Sequence, residues 1–155
     1  MRRTPKDSEG LHQRAIIQWR NTKMRDWPAL RWLVAVPNGG KRDRTTAKMM
    51  VAEGATAGVA DLIWPLRRGI FPGIVIELKR IDGGDGLTGD QLEYLKFMRG
   101  EGWAAYCCHG SARAIDLLVQ YESGNLSPTA GPVVVQSDGM LVPAYVGGAH
   151  KAARS

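Results

Sequence analysis

The sequence predicts a single α/β domain, one sheet with helices packed on its faces, followed by a C-terminal β-hairpin. Three observations carry this. Apolar runs of strand length alternate with helical periodicities in the order helix, strand, helix, strand, strand, helix, strand, helix. With 155 residues and 44% hydrophobic content, the chain is long enough for one core and too apolar to stay disordered. From Asn125 the composition shifts to Pro, Gly, Ser and Thr, which separates an extension at 123–155 from the domain at 8–122.

Residues 1–7 are basic. Ser8 is the expected cap of a first helix, on which Leu11, Ala15, Ile16 and Trp19 recur at helical spacing. Its polar face carries Arg14 and Arg20, with Lys23 and Arg25 beyond. Glu9 falls in the first turn, where a carboxylate complements the helix dipole, and His12 is expected at the surface. Leu30 to Val36 predicts a strand, stopped by Pro37. Then comes Asn38-Gly39-Gly40-Lys41-Arg42-Asp43-Arg44, a glycine-rich cationic turn. It does not match a Walker phosphate loop, which needs wider glycine spacing and Gly-Lys-Ser/Thr. Its glycines still allow backbone amides to approach a phosphate, with Lys41, Arg42 and Arg44 adding charge; the alternative is a solvated surface loop.

Thr45 or Thr46 is expected to cap a short helix that stops before Gly54. Gly54-Ala55-Thr56-Ala57-Gly58 lets the chain turn tightly into a strand bearing Asp61, and Arg67-Arg68-Gly69 turns it toward the strand bearing Glu77. Residues 81–87 form a loop rich in glycine and aspartate. Thr88 and Gln91 make a capping-box pattern at the start of the clearest helix, whose stripe is Leu92, Leu95 and Met98 and whose stop is Gly102. Trp103 to Cys108 reads as a central strand. Ser111 then caps a last helix with Ile115, Leu118 and Val119 inward. Val133–Gln136 and Met140–Val142 form a hairpin across Asp138-Gly139.

The net charge of +6 and a pI near 9.6 favour polyanionic partners, above all nucleic acid. No apolar run approaches the ~18–20 residues needed to cross a bilayer. The first residues lack the apolar core of a signal peptide, so a cytoplasmic location is expected. Cys107 and Cys108 are adjacent, which is neither a disulfide framework nor a zinc spacing. His12, His109 and His150 lie far apart, and Trp19, Trp27, Trp32, Trp64 and Trp103 mostly fall on apolar faces where core packing is expected.

The candidate chemistry lies between Val59 and Arg80. Glu77 and Lys79 are two apart in the run Ile74-Val75-Ile76-Glu77-Leu78-Lys79, so both emerge on one face of a strand. Such a pair also occurs solvated on edge strands, but Ile74, Val75, Ile76 and Leu78 mark an interior strand, where a charge needs partners. Asp61 is likewise embedded among Val59, Leu62, Ile63 and Trp64. Two carboxylates and an ammonium suit hydrolysis of a phosphodiester with a divalent cation, because magnesium accepts one or two carboxylates and keeps its remaining places for water and phosphate. Asp61 and Glu77 are the expected ligands, the carbonyl of Leu78 a third, and Lys79 orients water or stabilises developing negative charge.

Asp61 followed by Glu77-Leu78-Lys79 resembles the signature of the PD-(D/E)xK nuclease superfamily. More narrowly, several segments resemble the VRR-NUC family of virus-type replication and repair nucleases. They are Glu9 with Gln13, Pro37-Asn38-Gly39-Gly40-Lys41-Arg42, Gly54 with Gly58-Val59-Ala60-Asp61-Leu62, Ile76-Glu77-Leu78-Lys79, Gln91, and the Gly102-Trp103 boundary. They keep motif order over about residues 8–120. The family's usual proline before the aspartate is Ala60 here, which should shift local backbone geometry without removing a ligand.

The resemblance implies a restriction-endonuclease-like core, a mixed central sheet flanked by helices. It implies a Mg2+- or Mn2+-dependent DNA endonuclease with metal at Asp61, Glu77 and Leu78, an additional acid in Glu9, and catalytic support from Lys79 and Gln91. Asn38, Lys41, Arg42, Arg44 and Arg80 are the expected DNA contacts. Compact members of this kind resemble phage and bacterial homodimers acting on branched DNA, as in four-way-junction resolution. Two alternatives stay open: a catalytically idle DNA-binding module, and a nuclease active only with a partner such as a helicase.

Overall fold

The computed structural model describes residues 6–37 and 43–147. Among the described residues, four α-helices and six strands follow one another: α1 (Glu9–Lys23), β1 (Val34–Ala35), α2 (Arg44–Ala52), β2 (Leu62–Trp64), β3 (Ile74–Lys79), α3 (Gly89–Gly100), β4 (Ala104–His109), α4 (Ser111–Glu122), β5 (Val133–Val135) and β6 (Leu141–Pro143). The strands form one mixed sheet in sequence order. β3, β4 and β5 run parallel, while β1 to β2, β2 to β3 and β5 to β6 pair antiparallel. The expected hairpin is present, and β5 joins it to the parallel part of the sheet beside β4.

Side chains alternate along β3 and so divide between two cores. Ile74, Ile76 and Leu78 face a layer that includes Ile16 of α1 and Leu118 and Tyr121 of α4. Val75 faces Leu92 and Leu95 of α3. Glu77 and Lys79 share that second face but stand nearer the end of the strand, where apolar packing gives out. Every residue of β3 is buried, as the apolar run predicts.

Four local expectations change. The Leu30–Val36 run is mostly a 3-10 turn, Pro28–Trp32, leaving only Val34–Ala35 as strand. Pro28 presets the first turn, and the spacing of three brings Leu30 and Leu33 to one side, both buried. Trp32 on the opposite side is 60% exposed, under the guanidinium of Arg31, and so is not core. Asp43, not Thr45 or Thr46, caps α2: its carboxylate accepts from the backbone N–H and the hydroxyl of Thr46. On α4 the buried face is Ala114, Leu117, Leu118 and Tyr121, so Val119 turns outward. Among the described residues no helix is long and apolar enough to cross a membrane.

Candidate active site

The N-terminal ends of α1, α3 and α4 gather where β3 and β4 end, the end at which parallel strands commonly present ligand sites. α1 and α3 each contribute a residue of the first turn to the surroundings of Glu77 and Lys79, and the N–H of Gly110, at the start of α4, donates to the Lys79 carbonyl. Ser8 caps α1 by accepting from the N–H of Leu11, which sets Glu9 in the first turn. Glu9 Oε1 then lies 3.4 Å from Lys79 Nζ. Thr88 and Gln91 close the expected capping box on α3. The Gln91 side chain serves twice, because its Oε1 accepts from the N–H of Thr88 while its Nε2 donates to Glu77 Oε1 at 2.6 Å.

Asp61 immediately precedes β2. Its Oδ2 accepts from the N–H of Leu78 at 2.7 Å, so the acid is held against the β3 backbone between Glu77 and Lys79. The Asp61 carbonyl in turn accepts from the N–H of Val36. The buried Ala60 sits where a proline would stand. The site therefore brings Glu9, Asp61, Glu77, Lys79 and Gln91 together, with Leu78 supplying backbone at its centre.

Glu77 is 2% exposed and Lys79 5%. Burial pushes the Glu77 carboxyl up to about 8; the neighbouring charge of Asp61 adds to the rise, and Lys79, 3.5 Å from Oε1, opposes it. Burial works against the Lys79 ammonium, but Glu77 and Glu9 outweigh it and leave the amine above its ordinary range. One oxygen of Glu77, Oε2, is buried with no hydrogen-bond partner. A buried acceptor without a donor costs about 1–3 kcal/mol.

The donor set fits a hard divalent cation. Oxygens of Asp61 and Glu77 and the Leu78 carbonyl are the ligand type that magnesium and manganese take, and soft ligands are absent from the set. Among the described residues no group of three or more His, Cys, Asp and Glu side chains is placed to hold a metal. Glu9 meets Lys79 directly.

Of the residues expected to contact nucleic acid, Asn38, Lys41 and Arg42 lie outside the described residues. Arg44 opens α2 and is exposed. Arg80 is held by both oxygens of Asp82, so its charge is already partly neutralised.

His12 is the largest departure from the sequence reading. It is buried, not at the surface. Its Nδ1 accepts from the N–H of Ser111 at 3.0 Å, which puts the ring proton on Nε2, 2.6 Å from Asp7 Oδ1. Asp7 Oδ2 accepts from the N–H of Ile81, two residues past Lys79. Ser111 therefore does not cap α4: Gly110, at φ +87°, takes the N-cap position, and His12 serves the Ser111 amide. This linkage ties α1, β3 and α4 at the site. His109, the register partner of Lys79, stands half-buried on the same sheet face.

No known family profile matches the sequence, and no curated protein does. A solved structure described as a VRR_NUC domain protein does match, at 25% identity and a TM-score of 0.63, over 78% of this chain and 96% of that one. The chain has the VRR-NUC family fold. Within that fold, the acid before β2 and the Glu-Leu-Lys triplet on β3 occupy one buried, strongly charged corner. The likeness is thus to a nuclease-type domain.

Proposed function

We propose that this VRR-NUC-type domain is a divalent-metal-dependent DNA endonuclease, acting as a homodimer on branched or otherwise structured DNA. The observation that carries the proposal is Glu77 Oε2: a buried, partnerless carboxylate oxygen beside Asp61, in a carboxyl already raised to about 8. Asp61, Glu77 and the Leu78 carbonyl would hold Mg2+ or Mn2+, and Glu9 adds negative charge at the rim. The ion, when bound, neutralises charge on the scissile phosphate and acidifies water.

The chain's own residues do the rest. Gln91 fixes Glu77 by donating to Oε1, so Oε2 is the oxygen that would hold the cation. Asp61 is oriented by the N–H of Leu78. Lys79, held by Glu9 and Glu77, keeps a positive charge where negative charge develops on the phosphate oxygens. The converging helix N-termini favour the same anion. Asn38, Lys41, Arg42, Arg44 and Arg80 guide the flanking backbone. A homodimer offers two such sites related by a two-fold, which suits paired cuts in a junction.

A cleavage panel tests this: four-way junction, flap, nicked and linear DNA, each with Mg2+ or Mn2+, using wild-type protein and Lys79→Ala. Cutting of branched substrates by the wild type, dependent on metal and lost in the variant, is expected. Wild-type protein that leaves every substrate intact overturns the proposal. Sedimentation of the free protein checks the dimer.

A further inference from the structure

The 37–60 segment leaves the sheet and returns to it at one point. The N–H of Val36 donates to the Asp61 carbonyl, so the two stems meet at the candidate metal-binding acid. The returning stem is wedged against α3: a Cβ on Gly58 would collide with the backbone carbonyl of Asp90. Between the stems stands α2, and none of its residues is buried. A helix without a buried face gains nothing from the core, and its nine residues are too few for stability of their own.

The orientation of α2 is clear from its exposure pattern. Only Thr46 and Met50 are half-covered; all other residues are exposed. At about 100° per residue, Lys48 lies about 180° from the midpoint of that pair and points straight away from the protein. Arg44 precedes it by one turn and Ala52 follows by one, while Thr45 and Val51 flank the stripe. The outer face is thus two cations beside Thr45, Ala52 and the exposed Val51. Among the described residues neither Arg44 nor Lys48 forms an ion pair, whereas Arg68, Arg80 and Arg113 each have a carboxylate. In sequence, residues 41–52 carry Lys41, Arg42, Arg44 and Lys48 against the single acid Asp43, which is spent on the helix cap.

We infer that the outer face of α2, led by Lys48, docks the phosphodiester backbone of duplex DNA flanking the bond to be cut. The inference rests on the nuclease reading and extends it to a surface outside the acid cluster. Small residues let a backbone approach closely, and two cations one helical turn apart match a run of phosphates. The stems at Asp61 transmit the position of that backbone to the site. A second copy of the chain is the competing occupant, but a protruding, predominantly cationic face repels itself.

The test measures affinity of the full chain for a labelled duplex in EDTA across a salt series. Lys48→Ala is expected to flatten the log–log slope by about 0.9, and Arg44→Ala with Lys48→Ala by about 1.8. Ala52→Glu, which removes nothing and adds a carboxylate to the same face, is expected to weaken binding several-fold. Slopes and affinity unchanged in all three variants overturn the inference. So does a shift from dimer to monomer in sedimentation, which would make α2 an interface between copies. Wild-type cleavage of the junction, flap, nicked and linear panel with Mg2+ or Mn2+, run in parallel, separates the two proposals: a wholly uncut panel with a flattened slope sinks the nuclease and keeps the docking face, and a cut branched substrate with an unaltered slope does the reverse.

Discussion

The side chain of Gln91 joins the cap of α3 to the carboxyl of Glu77: one end accepts from Thr88, and the other donates at 2.6 Å. A single residue therefore sets both where the helix begins and which way the acid turns. Gln91→Ala should lose the Glu77 contact and half of the capping box together. The stability loss expected is about 0.5–1 kcal/mol, near the lower end for caps because Thr88 keeps its own bond. The activity loss expected is about 10–100-fold, as for partners that orient metal-binding groups. Thermal unfolding and a Mg2+ titration of cleavage would separate the two effects.

Glu77 makes the stability of the metal-free protein depend on pH. Its folded-state value of about 8 lies above the ordinary 4.5, so the folded form binds the extra proton between them. That contribution is fully present below pH 4.5 and is lost as pH rises through about 8. Denaturant unfolding of metal-free protein over this window should show stability falling, and Glu77→Gln should flatten the fall. Because a carboxylate must be ionised to bind metal, Mg2+ should release protons on binding and offset the loss at the alkaline end. An identical pH profile for wild type and variant would contradict the account.

Asp61→Asn and Glu77→Gln should abolish cleavage while leaving DNA binding and the fold in place. The amides keep the side-chain shapes, and in Asp61→Asn the side-chain carbonyl still offers an oxygen to the N–H of Leu78. Glu77→Ala should behave differently, since it leaves the buried amide of Gln91 without its acceptor and opens a void, a loss of about 1–3 kcal/mol for the unmet donor alone. Gel-shift binding, calorimetric unfolding and a cleavage assay on the three proteins distinguish ligand loss from collapse.

His12→Phe should keep an aromatic ring in place, slightly enlarged, and break the linkage from Asp7 to Ser111. The Ser111 amide then lacks an acceptor, which costs about 1–3 kcal/mol, a fall of several degrees in Tm for a chain of this size. Because Glu9 lies on the same first turns of α1, cleavage should fall with stability. Full activity with unaltered Tm would show that the ring only fills space.

The parts of this site legible in the sequence are those encoded locally. Strand alternation alone places Glu77 and Lys79 on one face, and the Thr88–Gln91 spacing announces the cap. Asp61 can be paired with them because only one short connection intervenes. His12 escapes such reading because its acceptor role depends on Ser111, 99 residues away, and nothing in the local pattern distinguishes it from a surface histidine. The 3-10 turn at Pro28–Trp32 reads as a strand because a short apolar run does not reveal its period. The second role of Gln91 comes only with the family resemblance, because the local pattern shows nothing beyond a capping box.

The hydrogen bond from Val36 to Asp61 closes the 37–60 segment into a loop whose ends are neighbours. Such a segment can be lengthened, shortened or replaced at little entropic cost, since closing a longer loop adds only about 0.6 kcal/mol per doubling. The sheet register and the acid would not notice the exchange. On the proposed roles of α2 and the acid cluster, DNA docking and cutting chemistry can therefore change separately on one fold.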